Sequence, residues 1–209
     1  MKWSEGQQFE NPPAGSFIAR CYSVVDMGTQ QHTYQGETWG SRDVRITFEL
    51  PGELMTGKYK PEFKGKPFSV SMTVKQSLHA KSKLRPMLES WRGKKFTSEE
   101  IAAYDPKKLV GVPCRLSLVE NGDYVNISSI SPLGRGEKCP KQVNESVYLS
   151  LAPNEFDMDV FRALTEKTQQ KIEGTPEFMA LMNGEGEQQE PTNHEAGTGA
   201  EADNDEVPF

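Results

Sequence analysis

The stretch MGTQQHTYQGETWGSR, residues 27 to 42, holds Tyr34 and Trp39 with no aliphatic partner near either, and Arg42 and Arg45 follow closely. Aromatic rings that stack on unpaired bases, beside cations that track phosphates, are the two halves of single-strand nucleic-acid recognition. The competing reading folds Trp39 back as a lid on the core. Further residues of the same two types stand at outward strand positions or in turns: Tyr22, Lys64, Lys66, Lys75, Arg115 and Tyr124. Trp91 falls in a helical stretch, where a tryptophan is more often core.

Other chemistries have little support. The chain has no phosphate-binding G-x-x-x-x-G-K-[ST] loop, no H-E-x-x-H, no G-x-S-x-G and no zinc-deaminase pattern, so no catalytic residue is assigned. Asp157 and Asp159 could be pictured as Mg²⁺ ligands of a nuclease, but no third carboxylate accompanies them in an ordered element. Cys21, Cys114 and Cys139 are odd in number and lack C-x-x-C spacing, which encodes neither a disulfide framework nor a zinc site. His32, His79 and His194 are scattered. No metal and no cofactor is expected.

Charge is distributed unevenly. The net charge is −6, yet residues 1–141 carry 21 Lys and Arg against 15 Asp and Glu, whereas residues 184–209 carry none against eight. Residues 58–95 alone concentrate 11 basic side chains against Glu62 and Glu89. A short basic run is often only a solvated face. An excess this broad, set against a wholly acidic segment on the same chain, suggests a polyanion groove with a polyanionic tail. No run of 18 apolar residues occurs and the opening MKWSEGQQFENPPAG has no apolar centre, so neither a membrane span nor a secretory signal is expected and the cytoplasm is the expected compartment.

Alternating residues supply the elements that would position these groups. FIARCYSVVDMG (17–28) is β-branched and aromatic. In 44–50, Val44, Ile46, Phe48 and Leu50 share one face, and in 68–74 Phe68, Val70, Met72 and Val74 do the same. A helical region spans about 80–104, and residues 112–133 read as two strands around Asn121-Gly122. Three strands, a helix and two strands predict a mainly β fold: a five-stranded OB-fold barrel with its helix between strands 3 and 4. On such a barrel the ligand lies across strands 2 and 3, walled by the loop after strand 1 and the loop between strands 4 and 5. The domain limits expected are 1–141 for the barrel, 142–183 for a short helical extension and 184–209 for a tail. The tail is too polar to offset its ordering entropy and is expected to be disordered.

The last seven residues, DNDEVPF, resemble the acidic tip of bacterial single-stranded DNA-binding proteins. The stretches PPAGSFIARCYSVVDMGTQ and FRALTEKTQQKIEGTPEF resemble the single-stranded DNA-binding proteins of tailed bacteriophages. Asn204, Glu206 and Val207 depart from the bacterial tip, which tends to have Asp, Asp and Ile there. The resemblance implies protection of single-stranded DNA in phage replication, recombination or repair, in the host cytoplasm. It also implies capture of replication or recombination proteins through Asp203, Asp205, Glu206, Val207, Pro208 and Phe209. A terminal aromatic ring can enter an apolar pocket while the acids before it steer the encounter. Strand annealing or mediation of recombination, and a DNA-mimicking adaptor or inhibitor of a host enzyme, are the alternatives. A homo-oligomer is compatible with the sequence.

Overall fold

The structure, a computed structural model, describes residues 10–184. The acidic segment beyond them, with Asp203, Asp205, Glu206, Val207, Pro208 and Phe209, lies outside the described residues.

Two long strands form the frame. β1 (Gly15–Tyr34) and β2 (Glu37–Leu54) pair antiparallel over almost their whole length. β3 (Pro67–Lys75) follows β2, then helices α1 (Leu84–Arg92) and α2 (Ser98–Ala102), then β4 (Pro113–Asn121) and β5 (Tyr124–Ser131). The sheet order is β3-β2-β1-β4-β5, all antiparallel, and a short β6 (Val147–Leu149) adds to β1 in parallel. Val44, Ile46, Phe48 and Leu50 of β2 and Phe68, Val70, Met72 and Val74 of β3 point inward as their alternation requires, and Ile46, Phe48 and Leu50 are almost fully buried with Leu116 and Cys114 of β4.

The sheet is open, in contrast to the closed barrel expected from the strand pattern: β3 and β5 are its two edges and do not pair. Helix α1 packs between the core and β5. Its Leu84, Leu88 and Trp91 sink into the core, with the Trp91 ring 5.3 Å from that of Phe48. Ser90 Oγ then donates to the Ile130 carbonyl of β5 at 2.6 Å, tying the helix to that strand.

Two boundaries differ from the sequence reading. The stretch 27–42, read as a loop, is a β-hairpin arm closed by Gln35 and Gly36, both at positive φ (51° and 85°), the geometry of a two-residue type I′ turn. Its strands carry Gln, His and Thr, which show no apolar alternation. In the second hairpin Asn121 pairs with Tyr124, so the turn is Gly122-Asp123 with only Gly122 at positive φ (60°), one residue later than Asn121-Gly122.

Residues 142–183 hold β6 and three short helices, α3 (Met158–Ala163), α4 (Glu166–Glu173) and α5 (Pro176–Met182). They pack on the outer side of β1. Bulges at Cys21/Ser23 and Asp26/Gly28 shift the alternation of that strand. Val24 thereby faces the main core while Val25 and Met27 join Leu149, Leu151, Phe161, Ile172 and Phe178 in a second apolar cluster. No helix among the described residues is long and apolar enough to cross a membrane.

Candidate nucleic-acid interface

Between the unpaired edges β3 and β5 runs an open groove of about 670 Å³. Its floor is the outer face of β1 and β3, with Tyr22, Ser69 and Ser71. Tyr22 is half-buried and its phenol lies 3.3 Å from Ser69 Oγ; burial pushes its pKa up, so it stays a neutral ring with a polar end.

One wall is the connection from β2 to β3, KYKPEFKGK. A 3-10 turn at Pro61–Phe63 folds it into a shelf held by its own backbone: Met55 N donates to Lys66 O (2.9 Å), Gly65 N to Met55 O (2.9 Å) and Lys66 N to Phe63 O (3.0 Å). Gly57, at φ 77°, is required here, because a Cβ would stand 2.9 Å from that of Lys64. The ammonium of Lys58 sits 4.9 Å from the centre of the Tyr59 ring, and that of Lys66 5.1 Å from the centre of Phe63. No carboxylate among the described residues forms an ion pair with Lys58, Lys64 or Lys66.

The other wall is β5, presenting Tyr124 at 73 % exposure and Asn126. One end of the groove is bridged by residues 10–12. The Glu10 carboxylate accepts from Thr56 N at 2.9 Å and from Gly57 N, bonds that hold its pKa below the usual carboxylate value, while Asn11 Nδ2 donates to the Asp123 carbonyl at 2.7 Å.

Of the residues singled out in the sequence, Tyr22, Lys66 and Tyr124 line this groove. Lys64 lies on the shelf beside it. Lys75 ends β3 opposite Asp43. Tyr34 and Trp39 are exposed at the tip of the arm, where Trp39 stacks on His32 with ring centres 5.9 Å apart. The three arginines are engaged inside the protein. Arg42 is bound by the buried Asp26 at 2.5 Å, Arg45 donates to Thr168 Oγ1 of α4 at 2.9 Å, and Arg115 is held by Glu137. Asp157, half of the imagined metal pair, instead caps α3 by accepting from Asp159 N and Val160 N.

The extension accounts for the engagement of Arg45, since it covers part of the outer face of β2 that alternation alone leaves free, whereas the partners of Arg42 and Arg115 lie outside it. Glu49, expected to point outward, is fully buried: Val143 N, Asn144 N and Asn144 Nδ2 all donate to its carboxylate at 2.8 to 2.9 Å. Tyr59 and Phe63 were not singled out by sequence reasoning. The signal for them was the interleaving of aromatic residues with Lys58, Lys60, Lys64 and Lys66 in nine consecutive residues.

A second hollow of about 610 Å³ lies under α1 and α2, lined by Trp91, Phe96, Tyr104 and Leu109. Of the two cations that line it, Arg92 and Lys108, Arg92 is already paired with Glu100 at 2.5 Å. Compared with known protein families, with curated proteins and with solved structures, the chain gave no match.

Proposed function

We propose that the protein binds single-stranded DNA along the groove between β3 and β5, with little sequence preference. The observation that carries this reading is the composition of the groove: four rings, Tyr22, Tyr59, Phe63 and Tyr124, share one concave surface with a lysine shelf on which Lys58 and Lys66 have no ion-pair partner among the described residues. Such rings stack on any base, and such lysines release counterions from any phosphate backbone. The strand order supports reading the sheet as an OB-type barrel left partly open at its β3–β5 seam, an architecture that binds oligonucleotides. The acidic segment 184–209 would recruit replication or recombination proteins in a phage-infected cell, as the resemblance implies.

The test is titration of fluorescent oligo-dT at several salt concentrations with a duplex control. Binding should favour the single strand, and log affinity should fall with log salt by roughly 0.7 per phosphate neutralised. No affinity in dilute buffer, or equal affinity for duplex, would falsify the reading.

A further inference from the structure

The two walls of the groove differ in charge as well as in shape. The shelf, residues 58–66, carries Lys58, Lys60, Lys64 and Lys66 against the single acid Glu62. The facing hairpin, β4 and β5, carries a single cation, Arg115, which is held by Glu137, and has Glu120 near the end of β4 and Asp123 in its turn. An exposed ring, Tyr124, and a side-chain amide, Asn126, are what that wall offers to a ligand.

We infer from this asymmetry that the groove orients a bound strand edgewise, with its sugar-phosphate backbone along the β2–β3 shelf and its bases turned toward β5. The inference rests on the reading of the groove as a single-strand site and adds the direction in which the strand faces. Turning the strand over would set phosphates along Tyr124, Val125 and Asn126, which carry no charge, and leave the lysines of the shelf facing uncharged bases. The attraction between opposite charges favours the first arrangement. Tyr124 has a different role: a base-facing ring contributes nothing to a strand that lacks bases.

The two roles separate in one experiment with two ligands, oligo-dT and an abasic sugar-phosphate oligomer of the same length. Wild-type protein should bind both, oligo-dT more tightly. Lys58→Ala with Lys66→Ala should weaken both ligands by the same factor and lower the salt slope by roughly 1.4 if each lysine neutralises one phosphate. Tyr124→Ala should weaken oligo-dT roughly five- to hundredfold, leave the abasic oligomer unchanged and leave the salt slope intact. Both sets of side chains are at the surface, and unchanged thermal melts will confirm that the variants fold. Equal losses for the two ligands in Tyr124→Ala, or losses confined to oligo-dT in the lysine variant, would overturn the orientation while the groove stands as the site. Failure of the wild-type protein to bind either ligand would instead remove the groove reading itself.

Discussion

Glu100 shows how a single carboxylate can gather a surface. Arg92 binds it with both terminal guanidinium nitrogens (2.5 and 3.1 Å), Thr97 N donates to it at 3.0 Å in a capping box that starts α2, and Lys94 adds a second cation at 3.1 Å. The Arg92 bond, then the Thr97 backbone bond, then Lys94 draw its pKa from an ordinary 4.5 down to about 2. A carboxylate whose pKa is lower folded than unfolded stabilises the fold fully above the unfolded value and loses that contribution as pH falls to the folded one. Thermal melts across pH should therefore show Glu100→Gln less stable than wild type at pH 7, with the gap closing between about pH 4.5 and 2. A gap that persists unchanged at pH 2 would mean the loss is steric. At this scale the sequence was only partly legible. Lys66, Tyr22 and Tyr124 could be picked by type and alternation, but Arg42, Arg45 and Arg115 looked just as available. Their acceptors, Asp26, Thr168 and Glu137, lie 16 to 123 residues away in the chain, and no local pattern shows such partners.

Among the elements, β1 and α5 meet at a joint with no spare room. Gly28, at φ 66° in a bulge, would place a Cβ 2.6 to 2.8 Å from the side chain of Thr175, the buried N-cap of α5. Both the backbone conformation and the close approach call for glycine. The neighbouring Thr29 donates from N (2.9 Å) and from Oγ1 (2.5 Å) to Glu177, clasping α5 from the next residue. Gly28→Ala should lower the unfolding free energy by about 1 to 3 kcal/mol, read from urea midpoints. It should also speed amide exchange in residues 176–182 more than elsewhere, whereas a uniform change would mean the joint is not local. Strands with apolar alternation were legible from the sequence, as β2 and β3 show. The arm was not, because its Gln, His and Thr residues give no period, and β6 was not, because three residues are too few to display one. The open seam also escaped the pattern, because alternation marks which face of a strand is buried and not which edges pair.

In the whole molecule the two apolar clusters lie on opposite faces of a single strand. β1 contributes Ala19, Cys21 and Val24 to one and Val25 and Met27 to the other. Along one side it pairs with β2; along the other it passes from β4 (residues 15–20) to β6 (residues 23–25), with its first bulge at the changeover. The extension, residues 142–183, has too little apolar surface for a core of its own and shares this strand instead, a dependence suggested by its length but located only by the bulges. Sharing one strand has a calorimetric consequence. Neither half can melt while the other keeps its heat of packing, so residues 10–184 should give one endotherm whose van't Hoff and calorimetric enthalpies agree. A pair of resolved peaks would mean that the wall common to both chambers can be vacated from one side alone.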